Sequence, residues 1–300
     1  MKKVLVFGSL NYDLTLYVDE LPKKGETITS KEMKYSIGGK GANQAATLAK
    51  LGLEVYMVGK IGRDDEGKKI IEKLKSLNVN VESIIECDKN TGKAFITVNK
   101  KGKNTIVISG GANSDIDKNY ITQFREKINS VDAVLMQLEI PLEAVKECLT
   151  VAKELNKLTI LNPAPAIMLD EEVLSKVDIL IPNETELGVL YQRDVISHTE
   201  ILNACKYLNN NGVNTIIVTL GKKGCALFNK NELTFYEPHD AIVVDTTAAG
   251  DSFIGGFLYS YLNDKGIEKS IDFGQKVSAI TVSREGALAA IPTINEIINP

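Results

Sequence analysis

Residues 241–251 read AIVVDTTAAGD, a β-branched run followed by two threonines, small residues and an acid. Directly after it the apolar residues Phe253, Ile254, Phe257, Leu258, Tyr261 and Leu262 recur at helical spacing. The stretch predicts a strand over 241–244, a tight turn and a helix, the unit from which α/β proteins are built. Outward from it, short apolar runs at 4–7, 55–58, 133–136, 159–161, 179–181 and 215–218 alternate with longer amphipathic segments. These runs have no polar face, as parallel strands buried on both sides require. The fold class is therefore α/β, with a mostly parallel central sheet between helices.

Two regions break this rhythm. Residues 15–36 and 81–108 read as alternating strands with Pro22, Gly25, Gly92 and Gly102 at the turns between them. They predict a small separate sheet inserted into one domain spanning 1–300. Because an open α/β sheet binds ligand at the carboxyl ends of its strands, such a flap reads as a lid that excludes water.

Composition narrows the partners. With 44% apolar and 25% charged residues, the 300-residue chain can bury a substantial core without disulfides or structural metal. A net charge of -4 offers no broad basic surface for nucleic acid or an anionic membrane. No stretch approaches the roughly 20 apolar residues of a spanning helix, and the run at 4–7 stops at Gly8 with no cleavage site after it. Cys87, Cys148, Cys205 and Cys225 stand far apart, without the spacing of a zinc or redox site. A cytoplasmic protein with reduced thiols and small-molecule partners is expected.

The chemistry-bearing residues fall at the predicted strand ends. Small residues at a helix start, Ala248, Ala249 and Gly250, leave backbone N–H groups open to an anion. Asp251 beside them can accept the proton of an attacking hydroxyl, or it can simply answer the helix dipole. The run Gly38, Gly39, Lys40, Gly41, Ala42, Asn43, Gln44 is followed by a helix through Ala45, Leu48, Ala49 and Leu51; it suits either a plain turn or a polar ligand approaching the backbone closely. It matches neither a phosphate-loop nor a dinucleotide fingerprint. Asn11, Asp13 and Glu139 follow predicted strands, as site residues or as turn residues. Asn183 and Glu186 have the spacing of a capping box, and the same pair can hold Mg²⁺ through water. Thr219, Leu220, Gly221, Lys222, Lys223 and Gly224 form a turn that can also cradle phosphates. His198 and His239 show no triad pattern and receive no role.

In this order the motifs resemble the ribokinase family, also called the phosphofructokinase B family of carbohydrate kinases, from the first strand to about Pro292. The resemblance implies a ribokinase-like sandwich with a small β lid, and ATP-dependent phosphorylation of the 5-hydroxyl of D-ribose. It implies that Asp251 is the general base and that Ala248, Ala249 and Gly250 form an anion hole. It places Asn11, Asp13, Gly38, Gly39, Lys40, Asn43 and Glu139 around the sugar. Asn183 and Glu186 match the family's magnesium and phosphate motif, and the 219–224 turn, Gly250 and Gln275 match nucleotide-binding positions. A monovalent cation, K⁺, is implied at Asp245 and at the carbonyls of Thr247, Thr281, Arg284 and Gly286. Ala290 stands where the family commonly offers serine. Exposed lid edges suggest a homodimer. The alternatives are a kinase of a related sugar or a nucleoside and, from another class, a sugar- or nucleotide-binding regulator without catalysis.

Overall fold

The computed structural model describes residues 1–299. Its strands are β1 (Lys3–Phe7), β2 (Asn11–Val18), β3 (Glu32–Gly38), β4 (Glu54–Gly62), β5 (Val79–Asn80), β6 (Ile84–Cys87) and β7 (Lys93–Asn99). There follow β8 (Asn104–Ser109), β9 (Ala133–Gln137), β10 (Leu158–Asn162), β11 (Ile179–Leu180), β12 (Thr215–Thr219), β13 (Cys225–Asn229) and β14 (Glu232–Tyr236). The helices are α1 (Lys40–Lys50), α2 (Asp65–Ser76), α3 (Lys118–Thr122), α4 (Arg125–Asn129), α5 (Leu142–Glu154) and α6 (Glu171–Leu174). They continue with α7 (Glu184–Tyr191), α8 (His198–Asn210), α9 (Ala249–Leu262), α10 (Ile267–Val282) and α11 (Ile294–Ile298).

The six apolar runs at 4–7 through 215–218 all become strands of the large sheet, ordered β14-β13-β12-β11-β10-β9-β1-β4-β5. Pairing is parallel from β12 to β5, and an antiparallel hairpin, β13 and β14, finishes one edge. Side-chain alternation feeds two apolar layers. Along β1, Leu5 and Phe7 join the layer of α5 and α8, while Val4 and Val6 join that of α1 and α9. Burying one such side chain contributes roughly 1.5–3 kcal/mol. A polar residue anywhere in β1 would therefore weaken one of its two faces.

The smaller sheet has the order β3-β2-β7-β8. It takes less of the 81–108 region than its turn residues suggest, because β6 pairs in parallel with β4 at the margin of the large sheet. The 241–244 run corrects a second expectation, for it is not a strand. Ile242, Val243 and Val244 are 85%, 61% and 60% exposed. The sheet edge at β14 is not extended by them, and the amides of Val244 and Asp245 instead donate to Val282 O at the end of α10, at 2.8 and 3.2 Å. Strand propensity alone does not make a strand, and here the run is tied to the end of α10 as a loop.

From β1 the chain moves to β4 on one side and later to β9 on the other. The strand order thus reverses at β1, and a crevice opens beyond the carboxyl ends of β1 and β9, where such sheets bind ligands.

Candidate active site

The crevice is lined by buried polar groups that hold one another in place. Asn11 and Asp13 open β2 just past β1, only 2% and 9% exposed. Asn113 Nδ2 donates to Asn11 Oδ1 at 2.8 Å, and Glu139 Oε2 accepts from Ser9 Oγ at 2.5 Å and from the Lys40 amide at 3.0 Å. Two glycines make room. A Cβ on Gly38 would lie 1.9 Å from Asp13 Oδ2, and Gly39, with φ 87°, caps α1 in a conformation that side chains resist. Asp13 Oδ1 and Asn43 Oδ1 are buried without any partner. Burial, reinforced by the nearby Glu139 charge, pushes the Asp13 carboxyl up to about 7.

Asp251 lies in the first turn of α9, 7% exposed. Asn43 Nδ2 donates to its Oδ2 at 2.8 Å and Gln44 Nε2 to its Oδ1 at 2.9 Å. Ahead of it, Ala248 takes the left-handed conformation, φ 60°, which costs an L residue roughly 1–2 kcal/mol. The turn leaves Gly250 exposed, where a Cβ would meet nothing within 4 Å. The Ala249 amide is taken up by Thr246 O at 3.2 Å, so of the three expected anion-hole residues Gly250 is the most open. The Lys40 ammonium is pushed down by burial, but the charges of Asp251, Glu139 and Glu186 outweigh this and hold it above its usual value. One cation thus faces Asp251, Glu139 and Glu186 alike.

The candidate nucleotide elements adjoin each other. Asn183 and Glu186 do form a capping box at the start of α7: Glu186 N donates to Asn183 Oδ1, and Asn183 N to Glu186 Oε2, both at 2.8 Å. Burial raises the Glu186 pKa. Thr219 N reaches Pro182 O at 2.9 Å, which sets the 219–224 turn beside that cap, between β12 and β13. Gly221 and Gly224 have positive φ there, and Lys222 and Lys223 are exposed. Gln275 is placed differently from its neighbours. Its amide points inward, Nε2 donating to Tyr236 O at 3.2 Å and to Cys225 Sγ at 3.5 Å.

Behind the helix start, Asp245 clamps two loops. Its Oδ1 accepts from Thr247 N at 2.9 Å and its Oδ2 from Gly286 N at 2.9 Å. Burial opposes the charge, yet these hydrogen bonds hold its pKa below the usual value. Thr281 is fully buried and Ala290 nearly so.

A family model settles the wider relationship, since the pfkB family carbohydrate kinase model matches residues 1–294. The chain belongs to the pfkB family of carbohydrate kinases. It is 38% identical over 299 residues to the ribokinase of Staphylococcus aureus, covering 98% of each chain. It is 34% identical over 296 residues to the deoxyribokinase of Salmonella typhimurium, covering 98% of this chain and 96% of that one. The solved structure of Arabidopsis thaliana ribokinase complexed with ribose and ATP matches with a TM-score of 0.90 and 33% identity, over 99% of this chain and 97% of the other.

Several supports of this pfkB site escape a reading of motifs. Ser9, Asn113, Gln137 and Asn162 are at most 6% exposed, yet each occurs singly in the sequence, far from the residue it holds. Gln44 follows Asn43 directly and faces the same acid. The one local signal for it is a glutamine among the apolar residues of α1, a polar side chain on a face that must be buried.

Proposed function

We propose that the protein is an ATP-dependent ribokinase that phosphorylates the 5-hydroxyl of D-ribose. The observation that carries this reading is the pair of buried, unpartnered acceptors, Asp13 Oδ1 and Asn43 Oδ1, in a crevice that also holds Asp251. Buried acceptors without donors are costly. A polyol supplies several hydroxyl donors at once, and Asn11, Lys40 and Glu139 surround the same space. The S. aureus ribokinase and the ribose-bound Arabidopsis enzyme support ribose among such polyols.

In this reading the Asp251 carboxylate takes the proton of the sugar hydroxyl as its oxygen attacks the terminal phosphorus of ATP. The bond from phosphorus to the bridging oxygen breaks, and ADP leaves with the electron pair. Charge on the transferring group meets the open Gly250 amide, the α9 dipole and Lys40. Lys222 and Lys223 with the 219–224 turn hold the nucleotide phosphates. Positioning and electrostatics supply most of the catalysis, as in phosphoryl transfer generally.

The donor sets fit two ions. Asn183 and Glu186 are already bonded to each other, which suits Mg²⁺ held through water more than direct ligation. Asp245 ties together the loops whose carbonyls, at Thr247, Thr281, Arg284 and Gly286, would hold K⁺; Ala290 contributes no side-chain oxygen. When bound, these ions supply positive charge for the phosphates and for the helix start. A homodimer through the lid is supported by exposed Met33, Tyr35, Ile106 and Val107 on its edge strands β3 and β8. Four free cysteines accord with the cytoplasm. No helix among the described residues is long and apolar enough to cross a membrane.

Release of ADP from Mg-ATP with a panel of D-ribose, 2-deoxyribose, fructose and adenosine tests the substrate, and D-ribose should give the highest kcat/KM. The deoxyribokinase relative makes 2-deoxyribose the competitor to beat. No turnover with ribose would overturn the assignment, and ribose binding by calorimetry without ADP release would favour a regulator instead.

A further inference from the structure

Behind Asp251 runs a chain of buried side-chain amides. Gln137, the last residue of β9, donates from Nε2 to Gln44 Oε1 at 2.6 Å. Gln44 donates from Nε2 to Asp251 Oδ1 at 2.9 Å and to Asn162 Oδ1 at 3.2 Å. Asn162, ending β10, anchors the far end by donating from Nδ2 to Ile181 O at 3.0 Å. Gln44 and Gln137 are 0% exposed and Asn162 6%. Three adjacent strand ends thus converge on one carboxylate.

The chain has a direction. A glutamine amide presents oxygen at one corner and two N–H donors at the other. Because Gln137 donates into Gln44 Oε1, the NH₂ of Gln44 must face Asp251 and Asn162. Without Gln137, the Gln44 amide could rotate and set its oxygen against the Asp251 carboxylate. Gln137 is itself confined: a Cβ at Gly8 would fall 1.9 Å from its Oε1, an atom that has no hydrogen-bond partner. A buried amide carrying an unsatisfied oxygen costs stability, which a purely structural role would not explain. Asn43 holds the other Asp251 oxygen but leaves its own buried Oδ1 unpartnered. Gln44 is the holder of Asp251 whose amide is bonded at both ends.

We infer that Gln44 and Gln137 are positioning residues for phosphoryl transfer, Gln137 acting only through Gln44 to fix the Asp251 carboxylate for proton removal. This rests on the reading of Asp251 as the general base.

The test compares Gln44→Met, Gln137→Met, the double variant and Asp251→Asn with the unaltered protein, varying D-ribose at saturating Mg-ATP. Gln44→Met should lower kcat by about 10²-fold, the loss that a displacement of about 1 Å produces. The ribose KM should change little, because what is lost is made in the transition state. Gln137→Met should lower kcat by roughly tenfold, and the double variant should be no slower than Gln44→Met alone, since the two act in series. Gln137→Leu, which also lacks a donor but packs differently, should repeat the Gln137→Met loss. Multiplying effects in the double variant, or a rise in KM with kcat unchanged, would overturn the inference. Should Asp251→Asn keep full activity, the general-base reading fails instead, whatever the glutamines do.

Discussion

The two sides of the crevice are built on opposite plans. On the proposed sugar side, Asn11, Asp13 and Asn43 are buried, and fixed partners such as Asn113 and Ser9 hold the side chains around them. On the proposed nucleotide side, Gly250, Gly221, Lys222 and Lys223 are exposed and offer mainly backbone and charge. A small neutral polyol can be told from water only by a complete set of directed hydrogen bonds in a dry pocket. A polyphosphate carries enough charge to be gripped by open amides and exposed lysines. The sugar side should therefore respond steeply to small changes and the nucleotide side only mildly.

Substitutions can break that contrast. Gly38→Ala is the most severe on the sugar side, because its Cβ would stand 1.9 Å from Asp13 Oδ2. Ribose kcat/KM should fall by roughly 10²-fold or more, with the ATP KM little altered; steady-state kinetics varying each substrate in turn would reveal an equal effect on both.

Acidity offers a sharper probe. Since burial and the Glu139 charge put the Asp13 carboxyl at about 7, the sugar-free protein holds a proton there that ribose hydroxyls must displace to donate to both oxygens. Ribose affinity should weaken as pH falls below 7, by up to about tenfold per unit. The sign for folding is opposite to that of an ion-paired acid. A raised carboxyl pKa favours the sugar-free fold on the acid side, and that contribution, full below the ordinary value of 3.8, is lost as pH rises from there to about 7. Calorimetric titrations between pH 5.5 and 8.5 that gave a flat ribose affinity would contradict the buried-acid picture.

Lysine-to-alanine changes at Lys222 and Lys223 should be milder, raising the ATP KM by a few-fold and leaving the ribose KM alone. Exposed charges contribute at most about 1 kcal/mol each. A large loss of kcat from either would mean that this side is as tightly built as the other. Smallest of all is Ala248→Gly. Relief of the left-handed alanine, φ 60°, is largely offset by the extra freedom of glycine in the unfolded chain, so stability should shift by less than about 1 kcal/mol. Thermal melting reads this directly.

These contrasts also explain what the sequence discloses. Six strands of the large sheet are legible because 4–7, 55–58 and their companions are apolar on both faces, a pattern that needs no tertiary knowledge. The 241–244 run carries the same β-branched signal, but whether a sheet edge accepts it depends on chain elsewhere. Asp251 and its small neighbours are legible because a helix start is local. Gln137, Asn162 and Asn113 are not, because each owes its place to partners roughly a hundred residues away, such as Gln44 for Gln137. The inward turn of the Gln275 amide is hidden for the same reason.

Asp251 should take its proton from the 5-hydroxyl of ribose. Phosphorus NMR of the ester formed from D-ribose and Mg-ATP tests this directly. Each anomer of the ester should show a phosphate resonance split by the two protons on the fifth carbon; an ester at any other hydroxyl, or none, would contradict it.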